Sequence, residues 1–197
     1  MIAVLILGAG ASSRMQGRDK LLEDVDGMPL LRRQSLRALE TGCPVLVALP
    51  PPPHPRYAAV AGLGVTLVPV PDAAEGMNAS LRAGLRAVPA QAQAVMVLLA
   101  DMPDLTTDDI NTVLQAVDLK SDIRIWRAVT QSGAAGHPTV FHNDLLPALI
   151  ALRGDIGGRD VAQAYCHRTR LIPLPGAHAR TDLDTPQDWA AWRAARE

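Results

Sequence analysis

Ile2-Ala3-Val4-Leu5-Ile6-Leu7, followed by Gly8-Ala9-Gly10-Ala11-Ser12-Ser13-Arg14-Met15-Gln16-Gly17-Arg18-Asp19-Lys20, decides how the rest of the chain is read. The first six residues are apolar without alternation, which marks a strand buried on both faces, and Gly8 ends the run. Strands of that kind build α/β sheets, whose ligands sit at the carboxyl edge. Small residues after the strand let backbone N–H groups approach an anion closely, the hydroxyls of Ser12 and Ser13 add donors, and Arg14 and Lys20 bring permanent positive charge. Together these features describe a polyphosphate cradle. Two familiar cradles fail on spacing. The dinucleotide fingerprint needs a glycine where Ser13 stands, and the Walker loop needs Ser or Thr where Leu21 follows Lys20.

Working outward, short apolar runs recur at Val45–Leu49, Val65–Val70, Val95–Leu99, Ile123–Val129, Pro138–Phe141 and Leu171–Leu174. Between them lie segments with helical spacing. Leu30, Leu31, Leu36 and Leu39 lead to Gly42, and Asn78, a possible N-cap, starts a stripe through Leu81, Leu85 and Val88. Thr107 precedes Asp108 and Asp109, whose charges suit a first helical turn, ahead of Ile110, Val113, Leu114 and Val117. Leu145–Leu152 and Arg159–Tyr165 read as two short helices, and Thr185-Pro186 caps a last one carrying Trp189 and Trp192. Strand and helix alternate, so an α/β architecture with a mostly parallel sheet is expected. Pro50–Pro55 reads as a stiff extended connector too short to divide two cores, and one domain over residues 1–197 is expected.

Composition narrows the class. Nineteen Lys and Arg against 20 Asp and Glu give a net charge of -1, without the basic excess of a duplex binder. Tyr57, Trp126, Phe141, Tyr165, Trp189 and Trp192 are scattered and form no stacking platform for single strands, so no nucleic-acid partner is expected. Apolar runs stay short of the ~20 residues that a membrane span needs, and no basic stretch precedes the first of them, so no membrane partner and a cytoplasmic location are expected. Cys43 and Cys166 make neither a disulfide framework nor a zinc cluster.

Asp101 ends the apolar run Ala94–Ala100. A carboxylate at the ligand edge of a buried strand needs a partner, and Mg²⁺ shared with phosphate oxygens would supply one. Taken alone, Asp101-Met102-Pro103 would read as a turn; the glycine loop reverses that reading. Asp184 precedes the Thr185 cap, which already covers the helix end, and Asp182 stands two residues earlier.

Gly8–Lys20 resembles the signature of the nucleotidyltransferases related to molybdenum cofactor cytidylyl- and guanylyltransferases. The resemblance continues through Gly76-Met77-Asn78-Ala79-Ser80-Leu81-Arg82-Ala83-Gly84, Ala100-Asp101-Met102-Pro103, Gly136-His137-Pro138 and Asp182-Leu183-Asp184-Thr185-Pro186, and so covers nearly the whole chain. It implies a single-domain, Rossmann-like three-layer sandwich of the nucleotide-diphospho-sugar transferase type, with a mostly parallel mixed sheet. By resemblance, Leu7, Gly8, Ala9, Gly10, Ser12, Ser13, Arg14 and Lys20 surround the nucleotide, and Gly76 and Ser80 lie beside its base and ribose. Asp101 and Asp184 are the magnesium ligands; Arg14, Lys20 and Asp101 are the catalytic set. Attack of an ionised phosphate on an α-phosphorus needs positioning and cations rather than a nucleophile–base pair.

On the acceptor side the resemblance points to His137, Asp155 and Arg159, with Arg159 suited to a phosphate. A loop histidine bonded to backbone is the plain alternative for His137, as a cap is for Asn78. The resemblance splits on the nucleotide. The Arg14–Lys20 interval and Asp101-Met102-Pro103 lean to GTP; Ser80–Gly84, Gly136-His137-Pro138 and Gly154–Arg159 lean to CTP. CTP leads, with molybdopterin as acceptor and a molybdoenzyme or chaperone as recipient. The alternatives are GTP on molybdopterin, the same chemistry on a sugar 1-phosphate or methylerythritol phosphate, and a catalytically silent nucleotide-binding module.

Overall fold

A computed structural model describes residues 1–153 and 158–196. The opening run forms β1 (Ile2–Leu7), buried along most of its length as its unbroken apolarity demands. After the glycine loop come a short hairpin, β2 (Asp24–Val25) and β3 (Met28–Pro29), and helix α1 (Leu30–Leu39). Then follow β4 (Val45–Leu49), α2 (Arg56–Ala59), β5 (Thr66–Pro69), α3 (Met77–Arg86), β6 (Ala94–Leu99) and α4 (Thr107–Gln115). The last part contains β7 (Ile125–Val129), β8 (Ala135–His142), α5 (Leu146–Ala151), α6 (Arg159–Ala164), β9 (Thr169–Pro173) and α7 (Pro186–Ala194).

Seven strands make one sheet in the order β5-β4-β1-β6-β8-β7-β9. Among the described residues β8 alone runs against its neighbours, so the sheet is mixed but mostly parallel. Alternate residues of β1 face opposite layers. Val4 and Ile6 join Leu31 and Ala38 of α1 and Ile110 and Val113 of α4. Ala3 and Leu5 join Leu81 and Leu85 of α3, Leu149 of α5 and Val161 of α6. Helices on both faces of a buried parallel sheet make the three-layer sandwich.

The chain leaves β1 for β4 on one side and later returns to β6 on the other. This reversal opens a crevice at the carboxyl ends of β1 and β6. Gly8 sits in that crevice because a Cβ there would come within 3.2 Å of the Ala48 carbonyl oxygen.

The structure differs from the sequence reading in local ways. The β2–β3 hairpin had no counterpart in it, although Asp26-Gly27, with φ of 54° and 85°, is the dipeptide that a tight hairpin turn selects. The α4 cap is Thr106, one residue earlier than the reading placed it, and forms a reciprocal capping box with Asp109. Gly76, not Asn78, caps α3; Asn78 is buried and donates its Nδ2 to the Arg153 carbonyl at 2.9 Å. The proline run is not extended to its end, because the backbone turns from His54 into α2. Trp189 is core, packed with Met15, Val25, Leu30 and Leu183 beneath the glycine loop.

Candidate active site

Backbone hydrogen bonds join the three segments that meet at the crevice. Ala100 N–H donates to Leu7 O at 3.2 Å, and Leu183 N–H donates to Asp101 O at 3.2 Å. Asp101 and Asp184 are therefore held side by side, the second beside an N-cap at Thr185 that closes a capping box with Asp188. A cavity of about 430 Å³ opens over them. Its lining includes Leu7, Gly8, Ala9, Gly10, Ser12 and Ser13 from the first loop. Arg14, Lys20, Gly76, Ser80, Asp101 and Asp184 complete the set that the sequence suggested. Met77, Leu99, Ala73 and Ala74 are further lining residues that sequence reasoning did not single out.

The charges in this cavity cancel. Lys20 Nζ donates to Asp101 Oδ2 and, at 2.7 Å, to Asp184 Oδ1. Arg14 meets the other Asp184 oxygen at 2.7 Å. Burial alone would lower the Lys20 pKa, but the two carboxylates outweigh it and hold the ammonium above the ordinary lysine value. Asp101 Oδ1 is buried and has no hydrogen-bond partner. An acceptor-only oxygen left in that state is costly unless a cation completes it, so the donor set fits a divalent metal. No cluster of three or more His, Cys, Asp or Glu side chains able to hold a metal occurs among the described residues. Two carboxylates with phosphate oxygens suit an ion that keeps part of its water shell. Asp182 is not among the described lining residues; burial, then the charges of Asp101 and Asp184, raise its pKa.

Arg56, absent from the sequence reading, organises the glycine loop. It is 1% exposed. Its Nε and Nη2 donate to the two Asp19 oxygens, both at 2.7 Å, its Nη1 to Gly8 O at 2.6 Å and its Nη2 to Ser12 Oγ at 3.0 Å. Ser12, at the left-handed φ of 52°, accepts from Lys20 N–H at 3.3 Å and donates to Asp19 at 3.3 Å. The Ser12 hydroxyl is thus engaged inside the loop by Asp19 and Arg56, while Ser12 also lines the cavity. Burial works against the charged form of Asp19, yet hydrogen bonds and charge from Arg56 hold its pKa below the usual value. Its partner Arg56 opens α2 just after the proline run, where no spacing pattern marks it.

A second cavity, about 180 Å³, shares Leu7 and Met77 with the first and receives His137, Arg159 and Arg127. Desolvation drives the His137 pKa down to about 4, opposed by a hydrogen bond to the Val97 backbone, so the ring is neutral at pH 7. Its Nδ1 is sealed without a partner. Asp155 lies outside the described residues, as does most of the Gly154–Arg159 loop.

The MobA-like NTP transferase domain matches residues 4–169. The chain belongs to that family. Among relatives of this MobA-like chain, a molybdenum cofactor guanylyltransferase of Cupriavidus metallidurans is 30% identical over 93% of this chain and 90% of its own length. A probable molybdenum cofactor guanylyltransferase of Synechococcus elongatus is 30% identical over 96% of each chain. Among solved structures, Rv0371c of Mycobacterium tuberculosis superposes with a TM-score of 0.84 at 26% identity, covering 97% of this chain and 96% of that one. A manganese complex of Rv0371c shares the fold at a TM-score of 0.80 and 24% identity, covering 96% of each chain. With the fold and the relatives together, this MobA-like chain is a nucleotidyltransferase enzyme.

Proposed function

We propose that the protein transfers GMP from GTP to a phosphorylated, molybdopterin-type acceptor and releases pyrophosphate. The observation that carries the chemistry is the buried, unpartnered Oδ1 of Asp101 beside a glycine loop, with Lys20 and Arg14 neutralising the carboxylates until a substrate arrives. The choice of GTP follows the names of the relatives and replaces the CTP lead that the downstream motifs suggested. Of those motifs, Gly136-His137-Pro138 and Arg159 belong to the acceptor side, where they bear on the second substrate more than on the base.

Asp101 and Asp184 would hold Mg²⁺ or Mn²⁺; a manganese complex of a related fold supports a divalent ion. When bound, such an ion would neutralise phosphate charge and stabilise the charge that develops on departing pyrophosphate. Lys20 and Arg14 exchange their carboxylate partners for phosphate oxygens, and the Gly8–Gly10 backbone orients the nucleotide. The attacking phosphate is already ionised, so the chain needs to supply no base. A cytoplasmic location fits the use of a nucleoside triphosphate, and a recipient molybdoenzyme or chaperone fits the product.

The test is pyrophosphate release from GTP, CTP, ATP and UTP with molybdopterin and Mg²⁺. At least tenfold preference for GTP is expected. Faster release from CTP would restore the cytidylyl reading, and tight nucleotide binding without turnover would make the protein a binding module.

A further inference from the structure

The smaller cavity carries positive charge that nucleotide transfer alone does not require. Arg127 comes from the interior of β7, between the buried Trp126 and Ala128, and its Nε donates to Gly136 O at 3.2 Å. Gly136 admits no side chain, because a Cβ there would overlap the Ala179 carbonyl and press on Arg180 Cγ at 3.0 Å. The next residue, His137, donates its N–H to Ala179 O at 2.8 Å. Strand β8 therefore lies flat on the turn at 179–180, which brings Arg180 near Arg127. Arg159, the first residue of α6, lines the same cavity as Arg127.

Among the described residues no carboxylate pairs with Arg127, Arg159 or Arg180. Burial first, and then the charges of Arg159 and Arg180, hold the Arg127 pKa below the usual arginine range, although a guanidinium stays charged in any physiological buffer. The neutral His137 supplies no counter-charge. Guanidiniums that repel one another beside a low-dielectric wall of Leu81, Val97 and Phe141 are relieved when an anion joins them.

We infer that Arg127, with Arg159 and Arg180 beside it, forms the oxyanion-holding side of the acceptor subsite and selects a phosphomonoester. This inference rests on the nucleotidyl-transfer reading. The two cavities meet at Leu7 and Met77, so a phosphate gripped by the arginines faces the nucleotide cavity. One of its oxygens forms the bond to the α-phosphorus. The bond from that phosphorus to the bridging oxygen breaks, and pyrophosphate leaves with the electron pair. The guanidiniums hold the oxygens that do not attack.

Arg127→Met, Arg127→Lys and, as a charge control outside both cavities, Arg170→Met separate the possibilities, with melting temperature as the folding check. Arg127→Met is expected to raise the acceptor KM roughly 10- to 100-fold. GTP affinity by calorimetry should change by less than about twofold, Arg127→Lys should recover part of the loss, and Arg170→Met should match wild type. An unchanged acceptor KM in folded Arg127→Met overturns the inference and leaves the transferase reading intact. If wild type turns over no nucleotide, that reading fails, and inorganic phosphate titrated into Lys20→Met backgrounds decides the anion site alone. Binding that disappears with Arg127→Met supports it; equal binding with and without Arg127 overturns it.

Discussion

The two cavities at the carboxyl edge of the sheet handle charge in opposite ways. In the larger cavity Lys20 and Arg14 are satisfied by Asp101 and Asp184, so the cluster is neutral and its residues are held in place. In the smaller cavity Arg127 and Arg159 line the wall, and no described carboxylate pairs with either. The first site can exchange internal partners for a metal and a polyphosphate; the second, among the described residues, holds no carboxylate partner for its arginines and suits an anionic ligand. Each charge pattern complements a different ligand: a cation with a polyphosphate in the first, an anion in the second.

The sharpest way to break this contrast is to remove the internal partners. Asp101→Asn and Lys20→Met should each lower pyrophosphate release roughly 100- to 1000-fold without loss of the folded state by circular dichroism. A loss below tenfold in both would mean that the neutral cluster is structural.

Next in size is the support of the loop. Arg56→Met strands the half-buried Asp19 and frees Gly8 O and Ser12, and should cost about 3 kcal/mol in denaturant unfolding. Asp19→Asn combined with Arg56→Met should cost less than the sum of the single changes, because the two side chains form one unit. Additive losses would show that they act separately.

The glycine loop, the strands of the seven-stranded sheet and both candidate metal carboxylates were legible in the sequence because each depends on local pattern: an apolar run, small residues, an acid at a strand end or beside a cap. Arg56 was not, since its importance comes from a contact across 37 positions with Asp19, and the short helix it opens after the proline run has no period to read. Arg127 left a fainter trace. A charged residue inside a buried strand is expensive to bury, and the run Ile123–Val129 is read for its hydrophobicity alone. The partners of the Ser12 hydroxyl were illegible for the same reason: Arg56, which bonds it, is distant in sequence.

A smaller effect probes the acceptor side through pH. The His137 pKa is depressed to about 4 in the folded chain against an ordinary 6.5. Between those values the unfolded chain binds a proton that the native chain does not, so stability should fall as pH drops from 6.5 towards 4. His137→Gln should flatten that part of the urea-unfolding profile, and an unchanged slope would mean that the ring is solvated. The smallest effect is expected at the hinge of the metal pair. Thr185→Ala removes the N-cap that accepts from Asp188 N–H and should cost about 1 kcal/mol, with a modest rise in the metal concentration needed for half-maximal turnover. No change in that concentration would detach Asp184 from its cap.

The most direct measurement is calorimetric titration of GTP into wild type and Asp101→Asn, with Mg²⁺ and with EDTA. The expected result is at least tenfold tighter binding with Mg²⁺ in wild type, an advantage that disappears in Asp101→Asn. Equal GTP affinity in all four conditions would contradict a nucleotide site built around the unpartnered oxygen of Asp101.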